Sequence, residues 1–244
     1  MRLLVVGAGA MGRWFADSVA SEHDAEVAFS DTDPEAAERA ASTLDGAVVD
    51  SGSGETFDAV CVAVPMPAAE SVLEDLAPRA ERAICDVTGR MQGPVAAMRE
   101  HAPDLERLSL HPLFAPENAP GNVAVVPDED GPVTDDIRAA LAARGNTLFE
   151  TTAAEHDEAM ETVQARAHTA VLAFALAAED VPEQFQTPIS AGLFDLVEQV
   201  TGGDPRVYAD IQQAFDGAED IAAAAREIAD ADEETFAALY EDAQ

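Results

Sequence analysis

The sequence predicts an α/β protein, with an N-terminal Rossmann-type parallel sheet followed by an all-α C-terminal segment. Three observations carry this. An apolar run, Leu3 to Val6, feeds the glycine-rich turn Gly7-Ala8-Gly9-Ala10-Met11-Gly12, which opens a helical stretch reaching Ala20. Short apolar runs then alternate with helical patterns through residue 150, as a parallel α/β sheet requires. From Thr151 onward the pattern is almost purely helical.

The first turn is the G-x-G-x-x-G fingerprint in its required context of strand, turn and helix. Gly7 permits the tight turn, Gly9 lets the backbone approach a pyrophosphate, and Gly12 lets the helix pack closely on the strand. Ala10 and Met11 begin the helix, whose free N–H groups and dipole favour phosphate oxygens. A second strand, Glu26 to Phe29, is followed by Asp31, nineteen positions after Gly12. A carboxylate there accepts hydrogen bonds from the adenosine ribose hydroxyls and repels a 2′-phosphate. The nearest downstream cation, Arg39, lies on the next helix, so NAD rather than NADP is the expected cofactor. The plainer reading of Asp31 is a turn or cap residue, because Asp33-Pro34 follows and starts a helix.

Pro34 to Leu44 reads as that helix, and Ala47 to Val49 as a short strand. Ala59 to Val64 is a continuous apolar run, the pattern of a strand buried on both faces. Pro65 and Pro67 break it before a helix from Ala68 to Leu76. Strand Ala83–Val87, a helix from Gly93-Pro94 to His101, and strand Leu108–Leu110 follow. Val123–Val126 is a further strand, Gly131-Pro132 starts a helix to Arg144, and Asn146–Phe149 is the last strand. Helices are predicted over Ala153–Ala178, Gln186–Val200, Tyr208–Phe215 and Ile221–Tyr240. The chain thus divides into a dinucleotide-binding domain, 1–150, and a helical substrate and dimerisation domain, 151–244. Alanine-rich helices this long need partners for their apolar faces, so a homodimer is expected.

Composition narrows the setting. The 244 residues carry 48 acidic side chains against 13 basic ones, a formal net charge of −35, and every basic residue is arginine. At 48% hydrophobic the chain can still build a core. Acidic excess without lysine resembles proteins of extreme halophiles, whose self-repulsion is screened at molar salt, where the Debye length is ~3 Å. The charge argues against nucleic acid or anionic membrane as partner. Cys61 and Cys85 lie in apolar strand-like runs and read as buried small hydrophobes. No metal-spaced cluster, signal segment or 18-residue apolar run is seen, so no metal is expected and the cytoplasm is the expected location.

Chemistry is expected where strands end, because open α/β sheets bind ligands at their carboxyl edge. Val64 and Pro65 close one strand, in V-A-V-P-M-P, beside the cofactor. Thr88 and Gly89 close the next, in D-V-T-G-R-M-Q-G, near the nicotinamide end. His111, in S-L-H-P-L-F-A-P, follows a third strand and is placed for acid–base work near neutral pH; the alternative is a turn histidine locked by Pro112. His156 and His168 are predicted on one long helix. Twelve residues at 3.6 per turn put them out of phase, so both cannot face one small site. On residue type alone His168 is a core histidine.

G-A-G-A-M-G, V-A-V-P, D-V-T-G, H-P-L-F-A-P and A-E-H-D-E-A-M-E-T-V-Q-A-R-A-H together resemble the prephenate dehydrogenase family along nearly the whole chain. The resemblance implies NAD-linked oxidative decarboxylation of prephenate to 4-hydroxyphenylpyruvate. Hydride leaves the carbon bearing the 4-hydroxyl while the ring loses carbon dioxide. It implies that His111 accepts a hydrogen bond from that hydroxyl, and that His168, Thr88 and Gly89 line the substrate. Departures are visible: Gly89 and Met91 stand where the family commonly has serine and lysine, and its carboxylate-binding arginine falls near Glu198. Arg90, Arg166 and Arg206 are the cations left to anchor the substrate. Two alternatives stay open. One is another small Rossmann dehydrogenase or reductase, such as a pyrroline-5-carboxylate reductase, which has no need of the H-P-L-F-A-P turn; a β-hydroxyacid dehydrogenase would require a catalytic lysine. The other is a non-enzymatic NAD-binding regulator, since fold does not determine function.

Overall fold

A computed structural model describes residues 1–243 in two compact units, 1–157 and 158–243. In the first unit eight strands form one sheet, in the order β3-β2-β1-β4-β5-β6-β7-β8. They are β1 (Arg2–Val6), β2 (Glu26–Ser30), β3 (Ala47–Val48), β4 (Phe57–Val62), β5 (Ala80–Asp86), β6 (Glu106–Pro112), β7 (Asn122–Glu129) and β8 (Thr147–Glu150). Helices α1 (Ala10–Glu22), α2 (Pro34–Leu44), α3 (Met66–Leu76), α4 (Gln92–His101) and α5 (Pro132–Ala143) connect them.

The strands alternate their side chains between two cores, as the period of two demands. Leu3, Val5, Ala59, Cys61, Ala83, Cys85, Leu108 and Leu110 pack under α1, α2 and α5, against Phe15, Val19, Ala40 and Ile137. Leu4, Val60, Val62 and Ile84 face α3 and α4, against Leu73, Val95 and Met98. Both cysteines are buried and unbonded. Asp33 caps α2, its carboxylate accepting from the Glu35 N–H at 3.0 Å.

The sheet is parallel except between β6 and β7, which pair antiparallel. That departs from the uniformly parallel expectation. The nine residues between these strands, 113–121, hold only a 3₁₀ turn, and a parallel crossover needs a dozen or more. β8 then pairs parallel to β7.

Helix α6 (Ala153–Met160) begins in the first unit, so its opening residues, with His156 and Asp157, belong with the sheet. In the second unit the continuous helix predicted to Ala178 is replaced by a π-helical stretch, Glu161–Arg166, before α7 (Ala167–Ala177). The Ala165 carbonyl accepts from Thr169 Oγ1 at 2.7 Å and from Gln212 Nε2 at 3.1 Å. The Gln212 bond comes from outside the helix's own ladder. Six of the eleven residues between His156 and His168 lie in this stretch, so an α-helical phase count between them does not apply. Helices α8 (Pro188–Thr201), α9 (Pro205–Ala214), α10 (Ala218–Asp230) and α11 (Glu233–Asp242) complete the unit. The last two replace the single helix expected over 221–240. Asp232 starts α11 by accepting from the Thr235 N–H at 2.9 Å, a cap that requires non-helical backbone where the chain would otherwise continue.

Candidate active site

The glycine turn is built by close approach. Gly7 takes φ 98°, and a Cβ on it would lie 2.2 Å from the Ala63 carbonyl oxygen. A Cβ on Gly12 would lie 1.9 Å from the Gly7 oxygen, so α1 can rest on the turn only if that residue is glycine. Above Gly9 the space is open, with no atom within 4 Å of where a Cβ would be. Helix α1, opened by Ala10 and Met11, has no side-chain cap and no acid in its first turn, leaving amide donors for an anion. Val64 and Pro65 follow β4 beside this turn, tied in by the Ala63 N–H bond to the Val6 carbonyl at 2.7 Å. Asp31 Oδ2 accepts from the Ala8 N–H at 2.7 Å and Oδ1 from the Asp33 N–H at 2.9 Å. The carboxylate thus braces the turn. This cradle, open over Gly9, fits the pyrophosphate and ribose of a dinucleotide.

The parallel register aligns Val62, Asp86 and Ser109 across β4, β5 and β6. His111 lies two residues beyond Ser109, within β6 rather than after it, and on the same strand face. Thr88 and Gly89 leave β5 toward it. A Cβ on Gly89 would stand 3.7 Å from His111 Nε2 and 2.9 Å from the Met66 sulfur, so with Met66 in place it is glycine that fits beside that nitrogen.

Behind His111 runs a chain of buried polar groups. His111 Nδ1 lies 2.8 Å from His156 Nε2, with the rings edge-on at 74° and 5.0 Å between centroids. His156 Nδ1 lies 2.9 Å from Asp157 Oδ1. Asp157 also accepts from the Met91 and Gln92 N–H groups at 2.9 and 3.1 Å, at the start of α4. Burial works against its charge, but these hydrogen bonds outweigh burial and hold the carboxyl below its ordinary range. His111 is pushed down to about 3, first by burial and then by the neighbouring His156, with Asp157 opposing. It is a neutral imidazole at physiological pH.

Asp86 is a second buried carboxyl, pushed up to about 7 by burial, against hydrogen bonds from Thr88 and with the Asp157 charge adding to the rise. Its Oδ2 lies 2.5 Å from Thr88 Oγ1, which also lies 2.9 Å from the Arg90 carbonyl; Oδ1 has no partner among the described residues. Arg90 Nε is 3.8 Å from Asp157 Oδ2, with its side chain 45% exposed.

Of the predicted site residues, the first unit brings together Thr88, Gly89 and His111. His156 and Asp157, whose partnership with His111 sequence reasoning missed, join them. The adjacent His-Asp pair at a helix start, already visible in A-E-H-D-E, was the available signal. His168 lies in the second unit, edge-on to Tyr208 at 5.0 Å, its Nδ1 unpartnered among the described residues and its basicity lowered by burial. Arg166 is tied to Asp220 at 2.6 Å and to Thr162 at 3.0 Å.

Comparison with known proteins agrees with this geometry. Residues 15–126 match the family model described as prephenate dehydrogenase, nucleotide-binding domain. The chain is 32% identical over 203 residues to the 4-amino-4-deoxyprephenate dehydrogenase of Streptomyces pristinaespiralis, covering 75% of this chain and 68% of that protein. It is 27% identical over 170 residues to a probable arogenate/prephenate dehydrogenase of Methanocaldococcus jannaschii, of which it spans 38%. The fold matches that of a prephenate dehydrogenase of Aquifex aeolicus, solved with hydroxyphenyl propionate and NAD+, with a TM-score of 0.73, 17% identity, and 99% and 95% of the two chains covered. It also matches Synechocystis arogenate dehydrogenase, at a TM-score of 0.65, 18% identity, and 94% and 90% covered. With a relative this similar over three quarters of its length, and a sheet edge laid out for dinucleotide and acid–base chemistry, the chain belongs to the prephenate dehydrogenase family.

Proposed function

We propose that this protein is a dehydrogenase that converts prephenate to 4-hydroxyphenylpyruvate with loss of carbon dioxide. The observation that carries the reading is His111, a buried neutral imidazole at the carboxyl edge of the sheet, whose Nδ1 faces His156 and whose Nε2 lies on the Gly89 side. Gly7, Gly9, Ala10, Met11, Gly12, Asp31, Val64 and Pro65 are the residues that would hold NAD. When bound, NAD supplies the two-electron acceptor. His111 Nε2 accepts the 4-hydroxyl hydrogen bond and draws its proton as the C4–H bond breaks with its electron pair. The ring carboxylate bond then breaks, carbon dioxide leaves, and its electrons complete the aromatic ring. The phenol oxygen keeps or regains the proton, so no net proton is released and His111 ends neutral. Thr88 and Gly89 shape the pocket wall, and Arg90, half-exposed beside Asp157, anchors a substrate carboxylate. His168 is retained as a substrate contact on its sequence motif.

A second reading has a specific support. The relative from Streptomyces acts, by its name, on 4-amino-4-deoxyprephenate, and an accepting Nε2 serves a 4-amino donor as well as a hydroxyl. The test is NADH formation in molar KCl with prephenate, arogenate and 4-amino-4-deoxyprephenate as separate substrates. Prephenate with the highest kcat/KM supports the proposal, and turnover of the amino compound alone overturns it. His111→Asn should lower kcat by ~10²–10⁴-fold, the usual cost of losing an acid–base group, with NAD affinity preserved.

The active form is proposed to be a homodimer joined through the helical unit. None of the eleven residues of α7, nearly all apolar, is buried within the chain, and Leu176, Ile189 and Phe185 are 89%, 79% and 70% exposed. Light scattering at high salt tests this, and an active monomer would refute it.

A further inference from the structure

We propose that His156, backed by Asp157, is a positioning residue that holds His111 in the one tautomer able to accept a hydrogen bond at Nε2. The inference rests on the reading of His111 as the proton acceptor, and deepens it.

The argument is a count of protons along one buried chain. Asp157 receives backbone N–H bonds from both Met91 and Gln92, and its carboxyl is held in the charged form. A carboxylate is an acceptor only, so the proton between it and His156 must sit on His156 Nδ1. Where that is the only ring hydrogen of His156, its Nε2 presents a bare lone pair. The atom facing that lone pair, at 2.8 Å, is His111 Nδ1. Two bare nitrogens at that separation would repel, so Nδ1 of His111 carries the hydrogen. His111 is neutral and has a single ring hydrogen to place, which leaves Nε2 bare. Nε2 is also the ring nitrogen on the Gly89 side.

The chain is dry enough for this control to be strict. The side chain of His156 is 1% exposed and that of Asp157 7%, so water does not compete for their bonds. Asp157 is itself fixed to the start of α4. The orientation of the His111 ring is therefore tied to the backbone at the start of α4. The same logic governs metal-ligating histidines, whose free nitrogen is chosen by what the other one donates to.

The experiment combines nitrogen-15 NMR of histidine-labelled protein with kinetics, in molar KCl. In the unmodified protein His111 should show the Nδ1–H tautomer. His156→Phe keeps the ring volume but removes the acceptor; kcat should fall at least tenfold, with NAD affinity and KM little changed, and the His111 spectrum should lose its single tautomer. His156→Gln should restore the tautomer and most of kcat, because one amide can donate to Asp157 and accept from His111. An Nε2–H tautomer in the unmodified protein overturns the proposal, whether or not any variant folds. So does a folded His156→Phe whose kcat stays within threefold. If His111→Asn is damaging while His156→Phe is harmless, only the positioning role falls; if both are harmless, the assignment of His111 as acceptor falls with it.

Discussion

Replacing Asp86 by asparagine should make this protein more stable, and increasingly so as the pH rises. The side chain is fully buried at the end of β5, and its carboxyl titrates near 7 instead of 3.8. Between those values the unfolded chain has lost the proton and the folded chain keeps it. Folding then takes up a proton, and this group's contribution to stability falls as pH rises, reaching its floor above about 7. At ~1.36 kcal/mol for each pH step, the penalty is about 1.6 kcal/mol at about pH 5 and about 4 kcal/mol at about pH 8. Asparagine has no such slope. The stability difference between variant and parent should therefore grow by about 3 kcal/mol across that interval. Titrating groups that do not interact with Asp86 contribute equally to both proteins and cancel. Urea unfolding followed by far-UV dichroism, in molar KCl at a series of pH values, measures it. A difference that stays constant within about 0.5 kcal/mol would show that Asp86 ionises alike in the folded and unfolded chain, and would refute this reasoning. Hydrogen counting argues against that outcome. The Thr88 hydroxyl has one proton but lies within bonding distance of both Asp86 Oδ2 and the Arg90 carbonyl. A protonated Asp86 supplies the second, so both contacts become hydrogen bonds.

Other outcomes follow from the same structure. Asp31→Ser should narrow the preference for NAD over NADP, read as the ratio of kcat/KM values, by removing the charge that repels a 2′-phosphate; a parent enzyme that prefers NADP would sink the assignment. His168→Ala and Arg90→Gln should raise KM for the substrate with kcat largely kept, the signature of binding lost equally from ground and transition states, and a pure kcat loss would contradict their roles as substrate contacts. Stability should rise from ~0.05 M to molar KCl, because a net charge of −35 self-repels until the Debye length shrinks to ~3 Å; a flat denaturation midpoint over that range would refute the halophile argument.

What could be read from the chain alone follows a physical division. The glycine turn, its strand and helix, and the cap at Asp33 were legible because each is a local constraint: a close approach only glycine permits, or a side chain bonding two residues away. The buried strands were legible in place, because a buried parallel strand leaves an apolar run, but not to the residue: β4 ends at Val62 rather than Val64, and β6 at Pro112 rather than Leu110. The π-helical stretch was not, since Ala165 and its partner Gln212 are 47 residues apart and an apolar period of 3.6 carries no trace of that contact. The antiparallel turn between β6 and β7 was hidden for a different reason. Its only local sign is a connection too short for a crossover, which matters once both strands are known to be neighbours.

The candidate site shows the same division at closer range. His111 stood out because it ends an apolar strand. Its partner His156 lies 45 positions away at a helix start, a place where a polar residue is ordinarily solvated and unremarkable. Treating α6 through α7 as one ideal helix forced a choice between His156 and His168. That premise fails on the π-helical stretch, and the histidine left without a role is the one hydrogen-bonded to the candidate base. A serine in place of Gly89 would put its Cβ 3.7 Å from His111 Nε2, on the front of the ring, but only if the Met66 sulfur, 2.9 Å from that Cβ, moved aside. Glycine offers no side chain there. The buried Asp157–His156 chain holds the ring from behind, so loss of the serine position need not cost the base its geometry.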